Sequence, residues 1–251
     1  MSKVFGLGEL DLSAVVAKVI SAVANFDSTT SVENNLVDAF AAAAEVATFN
    51  LQTEREWREP ELHRQKQKAL MNAIGNAHQE IIGQLDGFNS YPASASNPMP
   101  DVVGKRGKQQ IFAEIKNKHN TMNSKSSDAT FHSMVGFSES KQFKDYLGIV
   151  VQIISPVPVP GEKMWIEFAP GRSNRPRKNL LKMSGRVFYA IATDPLKRRP
   201  TIDFDANEDL RKWPSWNAID LMVDIFLKEL EKQTKSKTPE WVKKLFPIGI
   251  G

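Results

Sequence analysis

The sequence predicts an α/β protein in which a mixed central β-sheet is flanked by helices and preceded by a helical N-terminal region. Three observations predict it. Apolar residues recur at three- and four-residue steps through the first third of the chain. Near residue 101 the pattern changes from period 3.6 to period 2. Leu147–Ile154 is an almost wholly apolar, β-branched run, the pattern of a strand buried on both faces. With 251 residues, 41% hydrophobic and 25% charged, the chain can bury about 70–75% of its unfolded surface without covalent staples.

The elements follow in order. Leu12, Val15, Val16, Val19, Ile20 and Val23 share one face of a helix over 11–26. Asp27 to Ser31 supplies turn and capping residues, and the alanine-rich segment 32–48 is a second helix. A third starts at Pro60, favoured in a first turn, and runs to Leu85 with Leu70, Ile74, Ala77, Ile81 and Leu85 as its stripe. Gly75 weakens its middle. Residues 87–100, rich in Pro, Ser and Asn, form a loop. Two short strands, 101–104 and 109–116, are joined by the turn Gly104-Lys105-Arg106-Gly107-Lys108. A helix over 128–144, strands at 147–154, 164–168 and 187–193, and an amphipathic helix over 217–232 complete the order. Helices, hairpin, helix, strands and helix build around one sheet.

The absence of cysteine excludes disulfide scaffolds, zinc ribbons, iron–sulfur clusters and thiol nucleophiles. The four histidines, His63, His78, His119 and His132, include no pair at ligand spacing on one helix face, which argues against a histidine-bound metal. No apolar run approaches the ~20 residues of a membrane span, and the N-terminus lacks a signal-peptide pattern, so a cytoplasmic protein is expected. The net charge is +4, unevenly spread: −6 over residues 1–62, +4 over 101–144 and +7 over 161–200. That asymmetry suggests a polyanion-facing surface, although an ordinary solvated surface would also produce it.

The most informative stretch is Pro100-Asp101 followed by Glu114-Ile115-Lys116. Pairing Gly104 with Gln109 sets Asp101 opposite Phe112 and diagonal to Glu114. Alternation brings Lys116 to the same face, while Ile111, Ala113 and Ile115 point into a core. Two close carboxylates repel unless a cation lies between them. Hard oxygen ligands suit Mg²⁺, which bridges to phosphate, and a lysine alongside can act on an attacking water. That is a recipe for phosphodiester hydrolysis. An exposed carboxylate–lysine pair at a strand edge would use the same residues.

Pro100-Asp101…Glu114-Ile115-Lys116 resembles the motif of the PD-(D/E)XK nuclease superfamily, and the order of elements around it is that of a restriction-endonuclease-like core over about residues 75–195. The continuation Asn117-Lys118-His119-Asn120-Thr121-Met122-Asn123 resembles a subgroup of type II restriction endonucleases associated with GGNCC-type sites. The resemblance implies that Asp101 and Glu114 are metal ligands, that Lys116 is the catalytic lysine and that Mg²⁺ is the cofactor. Many members add an acidic residue from the preceding helix, for which Glu80 is the best-placed candidate, although an ordinary surface glutamate fits it equally.

Asn117, Lys118, His119 and Asn120 follow the catalytic strand and offer donors to DNA. Arg172, Arg175 and Arg177 lie in a loop punctuated by Gly171 and Pro176, and arginine both reads guanine and clamps phosphate. Lys197-Arg198-Arg199 suits phosphate contact at most. The expectation is a single nuclease domain over 1–251, with a helical region at 1–60, a core at 75–195 and a helical extension at 200–251. Its function is sequence-specific cleavage of double-stranded DNA by a homodimer, since a palindrome presents two equivalent strands. A structure-specific resolvase or repair nuclease, and a non-catalytic DNA-binding protein, are the alternatives.

Overall fold

The computed structural model describes residues 10–24, 39–91, 98–118, 124–154, 165–169, 177, 179–196 and 209–243. The chain divides into two compact units, one formed by residues 14–77 and one by the rest. Among the described residues no helix is long and apolar enough to cross a membrane.

Helix α1 (Leu12–Ala24) begins at Asp11, whose Oδ1 accepts from the Ser13 amide at 3.0 Å. Its Leu12, Val15, Val16 and Val19 are buried, as their spacing requires. In the smaller unit, α2 (Ala39–Phe49) has no buried residue and ends where Asn50 adopts a positive φ of 51°, a left-handed cap. The expected helix over 32–48 is thus seen from Ala39 onward; its first seven residues lie outside the described ones.

Helix α3 (Glu54–Gly83) starts six residues before Pro60, which sits inside it. A reciprocal cap sets that start. Thr53 Oγ1 accepts from the Glu56 amide at 3.3 Å, and Glu56 Oε2 accepts from the Thr53 amide at 3.2 Å. This Thr-x-x-Glu box is a stronger N-terminal signal than proline. Gly75 does not interrupt the helix.

The larger unit holds the sheet, described as six strands in the order β1-β2-β3-β4-β6-β5. They are β1 (Phe88–Ser90), β2 (Val102–Arg106), β3 (Gln109–Lys118), β4 (Leu147–Ile154), β5 (Trp165–Glu167) and β6 (Leu180–Ser184). The pairs β3–β4 and β4–β6 are parallel and the others antiparallel. Strand β4 lies in the middle and is buried along almost its whole length, as its apolar run requires. The expected mixed sheet flanked by helices is therefore present. Strand β1 occupies the start of the expected loop. It is short and pairs only with β2, where the Phe88 ring fills the space over Gly104; a Cβ there would meet Phe88 Cδ1 at 2.1 Å.

Each sheet face has its own cover. On one, Phe112, Val150 and Leu180 form a core cluster with Phe131 and Met134 of α4 (Ser124–Glu139), Phe143 and Phe168. On the other, α5 (Gly185–Ala192) brings Phe188 edge-on to Phe88 at 5.9 Å. A Cβ on Gly185 would lie 2.8 Å from Ile153 Cα, so only glycine lets α5 start so near β4. The Arg186 fork joins Asp220 of α6 (Ala218–Thr234) at 2.7 and 2.8 Å. A short helix, α7 (Glu240–Lys243), follows.

Two expectations are corrected here. Residues 187–193 are helix α5, not a strand, and the strand is 180–184 just before it. Seven of the eight α5 residues are buried, so Val187, Phe188, Tyr189 and Ile191 show β-type composition without a helical stripe. The local signal is Ser184, whose Oγ accepts from the Val187 amide at 3.3 Å as an N-cap. The helix expected over 128–144 is shifted to Ser124–Glu139, and Phe143 reaches the same core from the turn beyond it.

Core density yields a stability prediction. A Cβ on Gly148 would lie 2.5 Å from Leu180 Cδ2 and 2.6 Å from Phe112 Cζ. Gly148→Ala therefore overpacks the cluster and should lower stability by about 1–3 kcal/mol. The urea midpoint should fall with an unchanged slope. An unchanged midpoint would mean that Phe112 and Leu180 have room to move.

Candidate active site

The β2–β3 hairpin turns through Gly107 and Lys108, with Arg106 opposite Gln109 and Val103 opposite Phe112. Gly107 has a φ of +54° and Lys108 does not share it, the pattern of a type II′ turn. The turn expected from the sequence, with Gly104 against Gln109, closes too early. The error is two residues, so every side chain stays on its expected face. Asp101, however, moves from opposite Phe112 to opposite Glu114 when the register is extended past Val102. Arg106 explains the displacement. It is not a solvated turn residue but 2% exposed, with Nη1 donating to the Asp86 carbonyl at 2.6 Å and its guanidinium 4.8 Å over the Phe88 ring.

Asp101, Glu114 and Lys116 are brought together. Asp101 Oδ2 accepts from the Ile115 amide at 2.7 Å, and its own carbonyl accepts from the Tyr91 amide at 2.9 Å. Lys116 Nζ donates to Glu114 Oε1 at 2.6 Å, both side chains being about a quarter exposed or less. Ile111, Ala113 and Ile115 are buried on the opposite face, as alternation requires. Burial, and after it the charge on Glu114, push the Asp101 carboxyl up to about 6 against the opposing pull of the Ile115 N–H and the Lys116 ammonium. The pair thus carries more negative charge than its own surroundings neutralise. That donor set, two hard carboxylates held together, fits an oxygen-seeking divalent cation.

Other expected site residues are placed differently. Glu80 is half-buried on α3, and among the described residues no three His, Asp or Glu side chains gather as a metal-binding group. Asn117 follows Lys116 on β3 and alternation turns it to the opposite face. Lys118 ends the strand, in register with Ile154. Arg177 Nη1 is bonded to Glu139 Oε1 at the end of α4, 2.7 Å away and exposed. His119, Asn120, Arg172 and Arg175, with Lys197-Arg198-Arg199, lie outside the described residues.

Two further residues share the face of Asp101, Glu114 and Lys116, and no sequence motif marks them. Register puts Gln152 of β4 beside Lys116. Lys182 of β6 stands in the row of Glu114, with Val150 between them. Gln152 was detectable as the one polar side chain in Leu-Gly-Ile-Val-Val-Gln-Ile-Ile; Lys182 was not, because its strand was unrecognised.

Comparison with known proteins bears out the resemblance to type II restriction endonucleases. The Eco47II restriction endonuclease family matches residues 7–198, a span containing β2, β3 and every residue of the site. The type II restriction enzyme Sau96I of Staphylococcus aureus is 30% identical over 169 residues, 63% of this chain and 60% of that enzyme. The type II restriction enzyme Eco47II of Escherichia coli is 27% identical over 164 residues, 64% and 66% of the two chains. The chain thus spans just under two thirds of the length of each relative. On the match over residues 7–198, the chain belongs to the Eco47II restriction endonuclease family.

Proposed function

We propose that the chain is a Mg²⁺-dependent, sequence-specific endonuclease of restriction type that hydrolyses phosphodiester bonds in double-stranded DNA, with a PD-(D/E)XK active site. The observation that carries this reading is the convergence of Asp101, Glu114 and Lys116 at one end of the β2–β3 hairpin, backed by the buried Ile111, Ala113 and Ile115 on the other face of β3. Asp101 and Glu114 would hold the cation, which when bound supplies Lewis-acid polarisation of the scissile phosphate. The buried Ile115 N–H holds Asp101 in place for that role. The Lys116 ammonium, anchored on Glu114, is positioned to orient an attacking water and stabilise the charge it develops.

The kinship with the two restriction enzymes supports a GGNCC-type recognition site. The segment Asn117–Asn120 (Asn117, Lys118, His119 and Asn120) and Arg172, Arg175 and Arg177 supply donors for bases and phosphates. A homodimer would present one such site to each strand of a palindrome, and a DNA substrate of this kind places the enzyme in the cytoplasm.

Incubation of the purified chain with a long duplex of known sequence tests this reading. Discrete fragments in Mg²⁺ are expected, with Ca²⁺ supporting binding but not turnover. Cutting confined to branched DNA would instead indicate a resolvase, and binding with no cutting in any divalent cation would indicate a non-catalytic DNA-binding protein.

A further inference from the structure

The catalytic face does not end at Lys116. On this face the pairing of the sheet makes two rows of residues across the strands. One row runs Glu114, Val150, Lys182 and Ile166; the next runs Lys116, Gln152 and Ser184. Adjacent strands lie about 4.8 Å apart, so the Gln152 backbone is one strand from Lys116 and the Lys182 backbone two strands from Glu114. Nearer the strand starts this face is closed by Phe112 and Leu180 of the core cluster. At the Lys182 row it opens, for Ile166 beside it is 54% exposed.

Two polar side chains stand on this face beyond the motif. Gln152 is 3% exposed and is the one polar side chain of β4. Lys182 is half-buried, burial holds its ammonium below the usual lysine range, and among the described residues no carboxylate pairs with it. A neutral donor and a cation on neighbouring strands, diagonal to one another beside a site for phosphate chemistry, suit one class of ligand: a phosphate diester.

We infer that Gln152 and Lys182 form a second phosphate subsite, which binds a backbone phosphate neighbouring the scissile one and so sets the register of the DNA strand over Asp101, Glu114 and Lys116. This subsite rests on the proposed nuclease function. Gln152 donates a neutral hydrogen bond to that phosphate and Lys182 neutralises its charge. Neither touches the bond being broken. They position the substrate, and their loss acts on binding and register rather than on the chemical step of a correctly seated duplex.

The experiment uses the intact protein and an oligonucleotide duplex carrying the site mapped from the parent's own digest. Lys182→Ala should weaken binding in Ca²⁺ and reduce the slope of log affinity against log salt by about one charge. A neutral methylphosphonate at the phosphate next to the cut should weaken the parent similarly and leave Lys182→Ala unaffected. Gln152→Leu should slow cleavage by about tenfold or more while keeping the melting temperature, because leucine retains most of the buried apolar volume. A merely structural glutamine would lower both together. Gln152→Met supplies the same comparison if leucine does not fold. An unchanged salt slope in Lys182→Ala, or additive losses from the variant and the methylphosphonate, would overturn the subsite with the nuclease reading intact. A parent that neither cuts nor binds duplex DNA would remove both.

Discussion

Asp101→Asn should abolish cleavage and, in the absence of divalent cations, make the protein more stable. The loss of rate is expected to be about 10³-fold or more, since several kcal/mol of transition-state stabilisation pass through the metal ligands. The gain in stability follows from the elevated carboxyl. An aspartate pushed up to about 6 from 3.8 binds protons more readily folded than unfolded. In the cation-free protein, stability therefore falls as pH rises from about 4 to 6, and the full cost is present above that window. Asparagine removes the charge and keeps a carbonyl to accept from the Ile115 N–H. The expected gain is about 1–3 kcal/mol at pH 8, vanishing near pH 4. Melting curves in chelator at the two pH values provide the measurement. Equal or lower stability of Asp101→Asn at pH 8 would mean that Asp101 is comfortably charged without a cation, and that the carboxylate pair is a surface ion cluster rather than a ligand set.

The grouping of Asp101, Glu114 and Lys116 was more legible than the fold that carries it, and the reason lies in the period of a strand. Alternation alone binds Glu114 and Lys116 to one face, and Asp101 across the hairpin stays with them because the misplaced turn is off by an even two residues. What the sequence concealed was the depth of Arg106. A run of Gly-Lys-Arg-Gly-Lys looks solvated throughout, and only the Phe88 ring and the Asp86 carbonyl reveal why its arginine belongs inside. Those partners are remote in sequence and come from a segment read as loop.

Strand β4 and helix α5 make the complementary point. Both are apolar along nearly their whole length, and burial on all sides erases the amphipathic signal from each. Leu147–Ile154 was readable because its β-branched residues and its burial point to the same conformation. In α5 they conflict: Val187, Phe188, Tyr189 and Ile191 favour a strand, whereas the Ser184 cap and the close approach of Gly185 to Ile153 impose a helix. Displacing that strand by seven residues also hid the place of Lys182 on the face of Asp101, Glu114 and Lys116. Errors of secondary structure thus reached function at one place only, the side of the site farthest from the motif.

Lys116 offers the sharpest separation of a catalytic from a structural role. Lys116→Ala should reduce cleavage by about 10²–10⁴-fold, the range of a positioned group acting on a proton in flight. Lys116→Arg should not restore it, because a planar, permanently charged fork cannot take the place of a compact ammonium beside the attacking water. Affinity for Mg²⁺ should move the opposite way. With its 2.6 Å partner gone, Glu114 no longer shares its charge with an ammonium, and a cation meets two uncompensated carboxylates. The rise in melting temperature on adding Mg²⁺ should therefore be larger in Lys116→Ala than in the parent. A lysine that merely neutralised the carboxylates would show the tighter cation binding without the loss of rate. Near-parental cleavage by Lys116→Ala would transfer the water-handling role to another cation, and Lys118, two residues on in a strand that continues through it, would be the first to test.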